Sequence, residues 1–143
     1  MILCHFSHAF AINVDLVYIF LLNLFFFPRI RKPLNMVEKW KLCIEVSFYP
    51  NPGKAVITYV LSNITTSKVV QRKMNIPGRT KNDEAYYIGL IEGLGTAMEY
   101  GSNGIVVFTN SKLVCNQMNG VCQVKNDRLK ELHGIANNIV SQF

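Results

Sequence analysis

His5 and His8 stand three residues apart, a spacing that puts two imidazoles on one face of a helix. No third ligand lies near them, so the pair reads as accidental. The cysteines are Cys4, Cys43, Cys115 and Cys122. They form no CxxC pair, and no histidine sits at zinc-finger spacing. Four thiols are also few for a disulfide framework. The expectation is four small apolar fillers kept reduced. His133 falls in an ordinary helical pattern and reads as a surface or half-packed histidine. The cations Lys54, Lys68, Arg72, Lys73, Arg79 and Lys81 are spread over strands and loops rather than forming one run. They could track phosphates, and a solvated strand face gives the same sequence.

The 143 residues leave room for one domain. Half are apolar and 17% are charged, which excludes a disordered tail and allows a packed core. Fifteen Lys and Arg against nine Asp and Glu give a net charge of +6, which favours a polyanionic partner. The composition shifts near residue 35. Residues 1–28 carry one charge, Asp15, and Leu16 to Phe27 is nearly continuous apolar sequence. A membrane helix needs ~20 apolar residues, which residues 9–27 barely supply, and Asn13, Asp15 and Asn23 weigh against it. Arg29, Arg31 and Lys32 follow the apolar run, whereas a secretory signal carries its charges before it. Three readings stay open for this leader over 1–35: flanking sequence joined to a domain, a membrane anchor, or a signal or transit peptide.

Residues 36–143 read as an ordinary domain. Trp40 to Tyr49 alternates, with Leu42, Ile44 and Val46 on one face. Pro50-Asn-Pro-Gly53 signals a turn. Ala55 to Leu61 reads as a second strand, broken by Ser62-Asn63, and Lys68 to Met74 as a third, giving an antiparallel meander. Asn82 or Asp83 caps a helix running to about Tyr100, with Ile88, Ile91, Leu94 and Met98 as its buried positions. Gly89, Gly93 and Gly95 each weaken that helix by ~1 kcal/mol and allow close packing on a sheet. Ile105 to Phe108 reads as a short strand buried on both faces. Ser111 caps a second helix to Asn119, and Asn126 or Asp127 caps a third. The order is β-β-β-α-β-α-α.

That order and several strings resemble the type 1 ribonuclease H family, most closely its plant and retrotransposon branches. Trp40-Lys-Leu-Cys-Ile-Glu-Val-Ser47 is similar to the family's first strand, W-x-L-x-x-D-G-S. Asn51-Pro-Gly53 matches its NPG turn. Asp83 to Leu94 is similar to its N-E-A-E-Y-x-A-L-I-x-G-L helix, and Val107 to Val114 to its V-x-G-D-S-x-L-V string. Gln117-Met-Asn-Gly120, Val124-Lys-Asn126 and Leu129 follow in order. The resemblance implies an α/β fold of three antiparallel strands plus a parallel fourth, with helices packed on the sheet. It implies endonucleolytic cleavage of RNA in RNA–DNA hybrids by two Mg²⁺ ions held by four carboxylates.

The carboxylate positions fall on Glu45, Tyr86 and Asn110. Glu45 keeps the charge with one extra methylene, so it is a weak metal ligand at best. Tyr86 is a neutral phenol, and Asn110 keeps an oxygen without the charge. Glu84 lies two residues from Tyr86, about 200° around the helix, and points elsewhere. The family's fifth strand, final helix and fourth carboxylate find no counterpart before Phe143. Site charge thus falls from about −4 to about −1, too little to hold Mg²⁺ for two-ion catalysis. Asn51, Asn82, Asp83 and Gln117 lie near hybrid-contacting positions, and turn and cap chemistry explains the same residues. Three functions remain: a residual hybrid nuclease, a non-catalytic nucleic-acid-binding or interaction domain, and a relic of a mobile element. Oligomeric state has no sequence signal; the location is a membrane if residues 9–27 insert, and otherwise cytoplasmic or nuclear.

Overall fold

The computed structural model describes residues 40–48, 54–76 and 80–143. The leader with its membrane reading, His5, His8, Asn51 and Arg79 lie outside the described residues. Among the described residues no helix is long and apolar enough to cross a membrane.

β1 (Trp40–Phe48), β2 (Ala55–Asn63) and β3 (Val69–Ile76) form the antiparallel meander. Ile44 pairs with Tyr59, and Tyr59 with Arg72. β4 (Ile105–Thr109) joins β1 in parallel with Leu42 opposite Val107, giving the order β3-β2-β1-β4. Three antiparallel strands and one parallel strand make the mixed sheet expected from the sequence. Side chains alternate across a strand. This puts Trp40, Leu42 and Ile44 on one face with Ile57, Tyr59, Leu61 and Val107, all buried. β4 departs in part from expectation. Its helix-side Val107 is buried, but Val106 and Phe108 on the other face are only half-buried.

β2 runs two residues past its expected end. Asn63 does not break the strand; its Oδ1 accepts from the Thr65 and Thr66 amides at 2.8 and 2.9 Å and so shapes the turn that follows. Helix α1 (Asn82–Glu99) packs on β1 and β2. Its cap is Lys81 rather than Asn82 or Asp83. The Lys81 amide donates to Glu84 Oε2 at 3.4 Å, half of a capping box, and Asp83 and Glu84 meet the positive end of the helix dipole. Helices α2 (Lys112–Met118) and α3 (Asp127–Val140) start where the sequence indicates. Ser111 Oγ accepts from the Val114 amide at 3.3 Å, and Asn126 Oδ1 from the Leu129 amide at 3.1 Å.

Of the four expected positions on the buried stripe of α1, Leu94 is fully buried, but the centre of the stripe is shifted around the helix. Ile88 and Ile91 are half-buried and Met98 is 39% exposed. Tyr86, Gly89, Leu90, Gly93 and Ala97 face inward instead. Hydropathy counts glycine as neutral, yet here glycine sets the contact. A Cβ on Gly89 would lie 2.7 Å from Ile57 Cγ2 and 2.9 Å from Ile44 Cγ2. One on Gly93 would lie 2.6 Å from Leu42 Cδ1. The helix therefore rests directly on the strands. Tyr59 and Thr96 hydroxyls, 2.9 Å apart and buried, add a polar tie across the same interface.

The cysteines divide. Cys43 and Cys122 are free, as expected, but Cys122 is exposed rather than a buried filler and Cys115 is disulfide-bonded. A single bridge needs only two thiols brought within reach by the fold, whatever the cysteine density.

Gly89→Ala is expected to cost about 1–3 kcal/mol, because Ile44 and Ile57 are stiff β-branched side chains that cannot step aside. Gly95→Ala meets nothing within 4 Å and is expected to add about 0.5–1 kcal/mol. Urea denaturation of the two variants checks the contrast, and equal effects would remove Gly89 from the contact.

Candidate functional site

Tyr86 lies on the inward stripe of α1, three residues before Gly89, and is 5% exposed. Its hydroxyl donates to Asn110 Oδ1. Asn110 directly follows β4 and precedes the Ser111 cap of α2, so it stands at a strand end. The Val46 backbone of β1 acts on the phenol as well. The phenol is thus bonded to the residue that ends β4 and lies within the influence of β1. Burial pushes its pKa up, the bonds to Val46 and Asn110 pull it down, and the Glu45 and Asp83 carboxylates push it up again. The net direction is upward, so Tyr86 is a neutral phenol.

Glu45 pairs with Thr58 and is exposed. Strand alternation places it on the sheet face opposite Ile44 and Val46. Of the three positions the sequence resemblance singles out, Tyr86 and Asn110 are hydrogen-bonded, and Glu45 acts on Tyr86 through its charge. Asp83 does the same from the first turn of α1, three residues before Tyr86. Its part in this environment was not read from the sequence, although the i, i+3 spacing was a usable signal. Glu84 reaches back to the Lys81 amide.

The four residues suggested as nucleic-acid contacts separate. Asn82 is exposed and Asp83 half-buried at the start of α1. Asn51 lies outside the described residues. Gln117 is buried, and its Oε1 accepts from the Tyr87 hydroxyl at 2.9 Å. Its backbone oxygen lies 3.3 Å from His133 Nε2, and the Tyr87 and His133 rings meet edge-on at 6.2 Å. Gln117 therefore ties α1, α2 and α3 together inside the domain. His133 is half-packed, in line with its sequence pattern. Lys54, Lys68, Arg72, Lys73 and Lys81 are all exposed.

Mg²⁺ wants anionic oxygens in octahedral array. Asn110 Oδ1 is engaged by the Tyr86 hydroxyl, Tyr86 itself is a neutral phenol, and exposed Glu45 is the single carboxylate among the three positions. Among the described residues no three His, Cys, Asp or Glu side chains converge. The residues present do not fit a two-metal site.

Comparison with known proteins gives a consistent relationship. The family profile described as reverse transcriptase-like matches residues 44–143. The bifunctional protein Rv2228c of Mycobacterium tuberculosis is 38% identical over 93 residues, 65% of this chain and 26% of that protein. The uncharacterized protein Mb2253c of Mycobacterium bovis matches to the same extent. The chain thus spans about a quarter of the length of these relatives. Among solved structures, the N-terminal RNase H domain of Rv2228c, fused to maltose binding protein, superposes with a TM-score of 0.68 at 36% identity, covering 74% of this chain and 76% of that one. RNase H1 of Halobacterium salinarum gives 0.66 at 25%, covering 73% and 79%. LC11-RNase H1, solved with an RNA/DNA hybrid, gives 0.64 at 28%, covering 72% and 77%.

The buried pair behind the site makes a pH prediction. Burial and then the Asp83 charge push the Tyr87 phenol up to about 12. An unfolded tyrosine titrates near 10. Its share of stability is therefore complete below pH 10 and is lost as pH rises toward 12. Melting curves from pH 9 to 12 are expected to fall more steeply for the unaltered protein than for Tyr87→Phe. Parallel curves would mean that Tyr87 titrates as it does in the unfolded chain.

Proposed function

The chain belongs to the reverse transcriptase-like family and carries an RNase H-like domain, and from that premise we propose that it binds RNA–DNA hybrids and has lost most or all of their hydrolysis. One observation carries the second half. Where the sequence resemblance assigns two carboxylates, Tyr86 and Asn110 are neutral and bonded to each other. Two-metal catalysis needs both metal-bound oxygens, the attacking one and the leaving one, stabilised at once. One displaced carboxylate, Glu45, does not supply that.

Binding makes different demands. A duplex is held through its phosphates by cations and amides, with 2′-hydroxyl contacts separating RNA from DNA. Asn82 and Asp83 at the exposed start of α1 supply polar groups beside exposed Lys81. Asn51 and Lys54 belong to the same reading from the β1–β2 connection. The likeness to LC11-RNase H1, itself solved with an RNA/DNA hybrid, supports this substrate class. Gln117 is left out of the contact set because it is buried.

The test is cleavage of an end-labelled RNA–DNA hybrid by the full chain, with Mg²⁺ and then Mn²⁺. The same gel carries the triple change Glu45→Asp, Tyr86→Glu, Asn110→Asp. The expected result is no cutting by the unaltered protein, salt-sensitive retention of the hybrid, and measurable cutting by the triple variant. Cutting by the unaltered protein that Tyr86→Ala weakens would overturn the loss of hydrolysis. Failure to retain hybrid at low salt would overturn the binding half and move the mobile-element relic ahead.

A further inference from the structure

The donor set at Tyr86 does more than fail to hold a metal. A cation between β1, α1 and β4 would draw these three elements together through its ligands. Here the same three elements are joined without one. Tyr86 comes from α1, which rests on β1 where Gly89 meets Ile44, and donates to Asn110 at the end of β4. The phenol is buried, and its neighbour Gly89 fixes the height of α1 above the sheet. We propose that the Tyr86 hydroxyl is an internal replacement for a bound cation, so that this domain folds, and grips hybrid, without divalent metal. The inference rests on the hybrid-binding reading only for its second clause.

Chemistry supports the exchange. Two carboxylates left facing each other without a metal repel, and one of them must protonate. A phenol and an amide carry no charge, and each satisfies the other. The Glu45 and Asp83 charges then act on a neutral pair rather than on further carboxylates. Burial first, and these charges after it, keep Tyr86 protonated and donating. Exchanging Asn110 for Asp alone keeps an acceptor for the hydroxyl, so the tie survives and the metal is still kept out. Exchanging Tyr86 for Glu removes the tie and supplies the missing anion.

Thermal melts with EDTA and with ~10 mM Mg²⁺ or Mn²⁺ read the first clause without any nucleic acid. The unaltered protein and Asn110→Asp are expected to melt within about 1 °C in all three conditions. Tyr86→Phe keeps the ring and loses the bonds, and is expected to melt about 5 °C lower in each. The triple variant Glu45→Asp, Tyr86→Glu, Asn110→Asp is expected to melt low in EDTA and to regain about 5 °C or more with metal, as binding to the folded state alone requires. Metal stabilisation of the unaltered protein by several degrees would overturn the proposal, as would a Tyr86→Phe melt equal to or above that of the unaltered protein. The second clause is read by hybrid retention on a filter, expected to agree within about twofold between EDTA and Mg²⁺ at matched ionic strength. A tenfold loss in EDTA would overturn that clause while leaving hybrid binding itself intact.

Discussion

Helix α1 can lie on β1 and β2 only because Gly89 and Gly93 present no side chain to Ile44, Ile57 and Leu42. That close approach governs the rest of the domain. It buries Leu90 and Leu94, aligns the Tyr59–Thr96 hydroxyl pair, and brings Tyr86 low enough to touch the end of β4. Two glycines in a helix cost it about 1 kcal/mol each relative to Ala. Burial of the facing strand side chains offsets that cost, since each fully buried Leu or Ile contributes ~1.5–3 kcal/mol. The weakest helix formers thus sit where the tertiary structure needs them.

The polar interior is layered over this contact. Tyr86 and Tyr87 are adjacent on α1 and diverge by about 100° around its axis. Tyr86 turns to the sheet and Asn110, and Tyr87 to Gln117 and the His133 ring. Each phenol is buried, and each is satisfied by an amide oxygen, as buried hydroxyls require. Asp83 at the start of the helix acts on both. One helical turn therefore sets the environment of the Tyr86–Asn110 bond and of the packing between helices. A change at Asp83 would be felt at both tyrosines.

The relationship to RNase H domains holds at the level of fold and family, and the three positions the sequence resemblance singles out carry Glu45, Tyr86 and Asn110. This is expected where a scaffold is fixed by glycine packing and strand register, which do not depend on the metal ligands. Tyr86 and Asn110 meet in a direct hydrogen bond where the sequence resemblance assigns carboxylates. Lys81 and Asn82 at the exposed start of α1 take no part in that bond.

Alternation over Trp40 to Phe48, the caps Ser111 and Asn126, and the apolar run of β4 were legible in the sequence because each rests on neighbours within a few residues. The mixed sheet followed from the order of elements and from the resemblance. The phase of α1 was not legible, since glycine carries no hydropathy signal and its role appears only against Ile44 and Ile57. Gln117 reads in the sequence as a hybrid-contacting position, and only the packing of α2 against α1 and α3 turns it inward to Tyr87. The sequence by itself determined which groups are charged: Glu45 retained, Tyr86 and Asn110 neutral. Whether those neutral groups stand apart or satisfy each other depends on residues 24 positions apart meeting across a sheet. Only the tertiary structure decided that, because no local pattern encodes a hydrogen bond between a helix and the end of a distant strand.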